Sequence, residues 1–287
     1  MPGRSGNERM KNMVQAVIFD WAGTTVDYGC FAPVAAFVAA FKNKGITITV
    51  EEARIPMGLP KRDHIAEICR MERVAGIWQE KYGRSPDEAD IDSMYADFET
   101  MLLSTLKEYA TPIPGAIEAV EQLRAQEIKI GSTTGYTSEM MDIIAPEAEK
   151  QGYVPDVLVT PDMVAAGRPY PWMCYVNAMR LGVYPMHDIV KVGDTVSDMR
   201  EAVNAGVWAV GVIKGSNELG MNEAEIEACP SDELAEKMQI VRKRFEAAGA
   251  HYVIESIHQL PDAVDVISER LKRKEYPIFG TQEGIAR

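Results

Sequence analysis

Short apolar runs and amphipathic stretches alternate along most of the chain. Apolar runs bounded by turn residues are typical of buried parallel strands, whereas apolar residues three and four positions apart indicate helices. We expect strands, in chain order, at 14–19, 128–132, 156–159, 188–192, 207–213 and 250–254. Between and after them we expect helices at 115–126, 137–151, 171–182, 195–205, 222–247 and 257–274. This alternation predicts an α/β protein with a doubly wound, mostly parallel sheet.

The stretch 29–108 follows a different pattern, because helical periodicity dominates between the first two core strands. Helices are expected at 32–44, 51–56, 61–71, 73–82 and 88–107, with one short strand at 46–50. We therefore predict a helical cap at 29–108, inserted into a core formed by 13–28 and 109–275. Residues 1–12 are expected to be a disordered leader and 276–287 a loose tail.

Composition narrows the class of protein. The 287 residues are enough for one large α/β domain with an insertion, and the formal charge of −13 argues against a nucleic-acid partner. The 4 cysteines are far apart and form no C-x-x-C pair, which disfavours a zinc site and favours a reducing, cytoplasmic location. No apolar stretch approaches the roughly 20 residues that a membrane-spanning helix needs, so no membrane partner is expected.

Two aspartates follow predicted strands directly. Asp20 ends the apolar run 16–19, and Asp194 comes one glycine after the run 189–192. Open α/β sheets bind ligands outside the carboxyl ends of their strands. Taken alone, Asp20 is compatible with a capping, metal-binding or nucleophilic role. Two such carboxylates in one crevice suit Mg²⁺, while Asp198, in the first turn of the next helix, is equally compatible with simple capping.

Polar residues also follow the other strands. The turn 132–135, Ser-Thr-Thr-Gly, offers hydroxyl groups and backbone amides to phosphate-type oxygens, although turns that contain glycine are common. Arg168, between Gly167 and Pro169, is compatible with neutralising an oxyanion or with a solvated loop position. Neither feature is specific by itself.

Together these elements resemble the four motifs of the haloacid dehalogenase superfamily, over 14–28 and about 111–215. The resemblance implies a nucleophilic aspartate, here Asp20, that forms an aspartyl intermediate, with magnesium in the phosphotransferases. The usual phosphatases carry a second aspartate two residues later, which gives a proton to the leaving oxygen. This chain has Ala22 at that position, so either it is a poor phosphatase or its leaving group is not an alkoxide.

A second set of motifs narrows the resemblance to the phosphonoacetaldehyde hydrolases, or phosphonatases, over nearly the whole chain. They are Asp-Trp-Ala-Gly-Thr-Thr at 20–25, Met-Gly-Leu-Pro-Lys at 57–61, Gly-Ser-Thr-Thr-Gly-Tyr at 131–136 and Pro-Trp-Met at 171–173. The resemblance implies a Rossmann-like core with a helical cap, and Lys61 as the residue that forms a Schiff base. It also implies magnesium bound by Asp20, the Ala22 carbonyl and Asp194, with Asp198 beside this set.

The substrate pocket is expected to include residues from both the cap and the core. They are Cys30, Met57, Gly58, His64, Thr134, Gly135, Tyr136 and Arg168. Plain packing accounts for Cys30, Met57 and Tyr136 at least as well. His64 lies three residues after Lys61 on the same helix face, and is compatible with a proton relay or with helix packing.

The expected activity is magnesium-dependent hydrolysis of the carbon–phosphorus bond of phosphonoacetaldehyde, in phosphonate catabolism, by a cytoplasmic homodimer. The alternatives are a generic phosphatase or phosphomutase, a dehalogenase, and a non-catalytic protein on the same fold. Ala22 counts against a generic phosphatase or phosphomutase, and Asp194 counts against a dehalogenase. Asp20 together with Lys61 counts against a non-catalytic protein. The apolar stripe within 34–41 is compatible with a dimer contact or with the interior of the cap.

Overall fold

The computed structural model describes residues 13–277, whose strands form one parallel sheet. The strands are β1 (Ala16–Phe19), β2 (Lys129–Thr133), β3 (Val157–Val159), β4 (Ile189–Gly193), β5 (Trp208–Val212) and β6 (Tyr252–Ile254). Their order is β3-β2-β1-β4-β5-β6, and every pairing is parallel. The predicted doubly wound α/β fold is confirmed. The expected leader at 1–12, and all of the expected tail beyond 277, lie outside the described residues.

The central strand β1 places its carboxyl end beside those of β2 and β4. Phe19 is in register with Ser132 of β2 and with Val192 of β4. Chain order reverses on either side of β1, and open α/β sheets bind ligands at such a point. The residues that follow β1, β2 and β4 therefore meet at one edge of the sheet.

Five of the helices between β1 and β2 occupy the stretch predicted to be a cap. They are α1 (Phe31–Asn43), α2 (Val50–Arg54), α3 (Lys61–Arg70), α4 (Glu72–Tyr82) and α5 (Glu88–Thr105). The cap boundaries 29 and 108 remain a prediction. The strand expected at 46–50 is wrong: the Thr49 hydroxyl accepts from the Glu52 amide, and the Glu52 carboxylate accepts from the Thr49 amide. This capping box starts α2 and outweighs the strand preference of the β-branched run.

The apolar stripe of α1 lies inside the cap. Val34, Phe37 and Phe41 are buried, and the Phe37 ring stacks on Phe98 of α5 at 4.2 Å between centroids. Of the two interpretations left open by the sequence, the structure supports the cap interior for these side chains.

The remaining helices cover both faces of the sheet. They are α6 (Ala116–Ala125), α7 (Ser138–Glu149), α8 (Trp172–Leu181), α9 (Val196–Ala205), α10 (Glu223–Ala228), α11 (Ser231–Ala247) and α12 (Leu260–Lys272). Val17 and Phe19 of β1 join the core beneath α6, α7 and α12, whereas Ala16 and Ile18 join the core beneath α8, α9 and α11. Alternate side chains of a strand point to opposite faces, so β1 is enclosed on both sides. Within 13–277, no helix has the length and apolar character needed to cross a membrane.

Candidate active site

Three buried carboxylates meet at the carboxyl edge of the sheet. Asp20 follows β1, Asp194 follows β4, and Asp198 lies in the first turn of α9; one oxygen from each lies within 4.8 Å of the others. Burial, together with the charges of Asp20 and Asp198, raises the pKa of Asp194 well above its usual value. Carboxylates this close repel one another unless a proton or a cation lies among them. The set therefore fits a divalent metal ion.

The turn after β1 and the loop after β5 together hold the Asp194 carboxylate in place. The Thr24 hydroxyl donates to Oδ1 at 3.1 Å, and the Asn217 backbone amide donates to Oδ2 at 2.8 Å. Gly23, at φ +87°, packs so closely that a Cβ there would lie 2.1 Å from Asp194 Oδ2. A glycine at position 23 is thus required both by the backbone conformation and by the space that Asp194 occupies.

Arg168 binds the candidate nucleophile directly. Its Nη2 donates to Asp20 Oδ1 at 2.7 Å, and its side chain is buried rather than solvated. Burial by itself raises the pKa of Asp20, but Arg168 and Lys191 outweigh burial and hold this pKa below its ordinary value. Asp20 is therefore a carboxylate at neutral pH, the form that a nucleophile requires.

Two charged residues behind the site were missed by the sequence analysis. Lys191 in β4 donates to Asp198 Oδ1 at 2.5 Å, and Glu201 in α9 accepts from Arg168 Nε at 3.0 Å. Asp198 also accepts from the Thr195 hydroxyl at 2.6 Å and from the Thr195 backbone amide at 3.2 Å, and the second of these bonds belongs to the capping box that starts α9. A lysine inside a strand buried on both faces was the available signal for Lys191. Glu201 lies three residues after Asp198, on the same helix face.

Lys61 begins α3 and faces the same cavity as Asp20. Its Nζ lies 3.9 Å from the Met57 sulfur and 5.0 Å from the centroid of the Tyr136 ring. Burial lowers the pKa of Lys61, although the neighbouring Cys30 and Asp20 act in the opposite direction. A buried amine among apolar groups loses its proton more readily than a solvated lysine.

One cavity brings together most of the predicted site. Its lining consists of Asp20, Ala22, Cys30, Met57, Gly58, Lys61, Thr134, Gly135, Tyr136, Arg168 and Thr195. Thr195 was not predicted, although it directly follows Asp194. Burial raises the pKa values of the Cys30 thiol and the Tyr136 phenol well above their ordinary values, so both are neutral.

His64 does not line this cavity. Its Nε2 lies 2.8 Å from the Ala53 carbonyl oxygen, and its ring stacks on Phe37 at 3.8 Å between centroids. Burial and the charge of Lys61 lower the pKa of His64 well below its usual value, so the ring is neutral and donates from Nε2. These contacts favour helix packing, and substrate binding by His64 remains a prediction.

The fold and the site define a class of protein. A family model for haloacid dehalogenase-like hydrolases matches residues 14–206, which include the three aspartates, Lys61 and Arg168. The sheet order and the carboxylates at its edge agree with this match. The chain is thus an enzyme of the haloacid dehalogenase-like hydrolases.

Similar proteins narrow the class further. The chain is 60% identical over 257 residues to the phosphonoacetaldehyde hydrolase of Bacillus cytotoxicus. The aligned residues cover 90% of this chain and 97% of that protein. It is 57% identical to the bifunctional phosphonoacetaldehyde hydrolase/aminoethylphosphonate transaminase of Clostridioides difficile, over 90% of this chain and 41% of that protein. The crystal structure of a phosphonoacetaldehyde hydrolase-like protein from Oleispira antarctica matches with a TM-score of 0.90 and 38% identity, over 93% of this chain and 97% of that one. The chain belongs to the phosphonoacetaldehyde hydrolase family.

Proposed function

We propose that the protein hydrolyses the carbon–phosphorus bond of phosphonoacetaldehyde to acetaldehyde and phosphate. The observation that carries the proposal is that the Lys61 amine and the Asp20 carboxylate line one cavity. An amine can form an imine with an aldehyde, and a carboxylate can accept a phosphoryl group. The names of the similar proteins support this substrate.

The chemistry explains why both residues are needed. Direct cleavage of the carbon–phosphorus bond would expel a carbanion at the carbon next to the aldehyde. Lys61 first attacks the carbonyl carbon, and loss of water leaves a protonated imine that can accept the bond electrons. The leaving group is then a neutral enamine. Attack requires the free amine, and burial of Lys61 favours that form.

Asp20 then attacks phosphorus, and the electrons of the carbon–phosphorus bond move into the enamine. The products of this step are an aspartyl phosphate on Asp20 and an enamine on Lys61. Arg168, Thr134 and Gly135 line the cavity. There the guanidinium and the backbone amides of this turn would offset charge on the phosphoryl oxygens. No ester oxygen has to be protonated, which accounts for Ala22 in place of a second aspartate.

Two hydrolytic steps complete the cycle. The enamine takes a proton on carbon and returns to an imine, and water releases acetaldehyde and the free Lys61 amine. A second water cleaves the aspartyl phosphate, which releases phosphate and restores Asp20.

We propose Mg²⁺ as the cofactor, held by Asp20, Asp194 and the Ala22 carbonyl. Carboxylate and carbonyl oxygens are the ligands that this hard cation prefers. When bound, it would balance the clustered carboxylates and stabilise negative charge on the phosphoryl group. Lys191 and Thr195 hold Asp198, which places Asp198 beside the metal ligands as a support.

A cytoplasmic homodimer is part of the same proposal. The described cysteines are free thiols, which suits a reducing compartment. The dimer rests on resemblance to the family alone, because Val34, Phe37 and Phe41 of the α1 stripe are buried within the chain.

The experiment that tests the function is a product assay. Purified protein with Mg²⁺ should release acetaldehyde and phosphate from phosphonoacetaldehyde in equal amounts, and a chelator should stop the reaction. An Asp20→Asn variant is the control for contaminating activity. Faster release of phosphate from a panel of phosphate monoesters than from phosphonoacetaldehyde would instead support the generic phosphatase.

A further inference from the structure

Arg168 contacts Asp20 through one nitrogen only. Its Nη2 donates to Asp20 Oδ1 at 2.7 Å and to the Thr133 hydroxyl at 2.9 Å, and lies 3.2 Å from Asp198 Oδ1. Its Nε donates to Glu201 Oε2 at 3.0 Å. Its third nitrogen, Nη1, has no hydrogen-bond partner within residues 13–277, and Arg168 lines the cavity. The guanidinium is therefore held through two of its nitrogens, while the third has no hydrogen-bond partner among the described residues.

This arrangement differs from the pairing that an arginine and a carboxylate usually form. Such pairs are frequently bidentate, with two parallel hydrogen bonds to the two carboxylate oxygens. A bidentate pair would occupy both oxygens of Asp20 with Arg168. Because Glu201 takes Nε, only Oδ1 of Asp20 accepts from Arg168, and Oδ2 receives no hydrogen bond from it.

Glu201 is held through its Oε2, whereas its buried Oε1 has no hydrogen-bond partner among the described residues. It is fully buried in α9, where its Oε2 also accepts from the Thr133 hydroxyl at 3.1 Å and lies 3.8 Å from Lys191 Nζ. The start of α9 is fixed by Asp198 and Thr195, one turn earlier. The acceptor for Arg168 Nε thus has a position set by the same helix that carries Asp198.

We propose that Glu201 is a positioning residue that turns Arg168 end-on toward Asp20. Arg168 then leaves one oxygen of Asp20 unengaged, so that Asp20 can attack phosphorus, and Arg168 Nη1 stays available to bind the phosphoryl group. Glu201 acts through Arg168 and touches no reacting atom. The proposal rests on the proposed role of Asp20 as a phosphoryl acceptor, but not on which group leaves phosphorus.

Two substitutions separate positioning from charge balance. Glu201→Gln removes the charge but keeps an acceptor oxygen on a side chain of the same length. Glu201→Asp keeps the charge, but its side chain is one methylene shorter, so the acceptor lies farther from Arg168. Loss of one aligned donor to a developing anion costs about 100-fold in turnover. We expect kcat/KM to fall about 100-fold in Glu201→Asp and no more than about tenfold in Glu201→Gln. A residue that only balances buried charge would give the reverse order.

Three further measurements accompany the rates. Thermal unfolding shows whether each variant folds. If Glu201→Asp does not, Glu201→Met, which has no carboxylate acceptor, takes its place, and the same loss of kcat/KM is expected. Borohydride trapping of Lys61 with acetaldehyde, which carries no phosphoryl group for Arg168 to bind, should be unchanged in all variants, because Glu201 contacts Arg168 rather than Lys61. Binding of inorganic phosphate, measured by calorimetry, should weaken more in Glu201→Asp than in Glu201→Gln.

The outcomes are distinct. Wild-type protein that does not cleave phosphonoacetaldehyde overturns the proposed function, while phosphate binding by the variants still tests the role of Glu201. Wild-type turnover and phosphate affinity in Glu201→Asp, or a larger loss in Glu201→Gln than in Glu201→Asp, would overturn the positioning role.

Discussion

Replacement of Gly58 by alanine should push the cap loop at 58 away from the core residues beside the substrate cavity. Gly58 lines that cavity, three residues before Lys61, and packs against the start of α9. A Cβ at position 58 would lie 2.5 Å from the Thr195 hydroxyl oxygen and 2.8 Å from Ser197 Cβ. The loop that precedes α3 and Lys61 must therefore move away from the residues that follow β4.

The size of this effect can be worked from the contacts. The Ser197 Cβ cannot rotate away, and its distance is 0.6 Å short of the 3.4 Å at which ordinary contact begins. Rotation of Thr195 would break the hydrogen bond that its hydroxyl donates to Asp198. A shift of about 1 Å in a reacting group can cost about 100-fold, so we expect kcat/KM to fall at least about tenfold. The φ of +89° adds about 1–2 kcal/mol of backbone strain in the folded state.

Gly83 provides a matched control. It ends α4 of the cap at φ +68°, and a Cβ there would meet nothing within 4 Å. Gly83→Ala should thus carry a similar backbone strain and leave kcat/KM unchanged. Steady-state rates and thermal unfolding of both variants make the comparison. Equal losses of activity in the two variants, or wild-type kcat/KM in Gly58→Ala, would refute the reasoning.

Three other predictions concern the metal site, the leaving group and the amine. Asp194→Ala should abolish most turnover and weaken Mg²⁺ binding while the fold is kept; calorimetry with Mg²⁺ checks this, and unchanged affinity would remove Asp194 from the site. Ala22→Asp should lose most carbon–phosphorus cleavage and gain slight esterase activity, because a second carboxylate near Asp20 repels the bound anion; cleavage at the wild-type rate would make Ala22 incidental. The pKa of Lys61 is lowered by burial from 10.5, so the rate of imine trapping should rise with pH and reach its plateau below that value. Mass spectrometry of the trapped Lys61 peptide over a pH series measures this rate, and a rate still rising at pH 10.5 would contradict the lowered pKa.

Much of the fold was predictable because its signals are local. The apolar runs and the turns after them predicted the strands, and parallel pairing then brought Asp20 and Asp194 to one edge. The error at 46–50 had a local cause as well: the β-branched residues indicated a strand, while the capping pair Thr49 and Glu52 already indicated a helix start.

The supporting charges were harder to predict, because burial of a charged side chain depends on its partners. Glu201 looks like any exposed helix residue until Arg168, 33 positions earlier, is brought beside it. Arg168 was compatible with a solvated loop, and only the folded chain shows it buried against Asp20. His64 shows the opposite case, since its place beside Lys61 in sequence suggested the pocket but its ring packs against Phe37.

The central claim is that Lys61 forms an imine while Asp20 takes the phosphoryl group. Borohydride reduces an imine to a stable secondary amine, which an ordinary phosphatase cannot form. Treatment with borohydride and phosphonoacetaldehyde should inactivate the wild-type protein and add a reduced two-carbon unit to the Lys61 peptide, and acetaldehyde should label the same residue. Lys61→Arg keeps the positive charge, but its guanidinium stays protonated and forms no useful imine. We predict that the Lys61→Arg protein folds and binds Mg²⁺ but shows neither labelling nor turnover. Release of phosphate from phosphonoacetaldehyde by Lys61→Arg at the wild-type rate would contradict the Schiff-base mechanism.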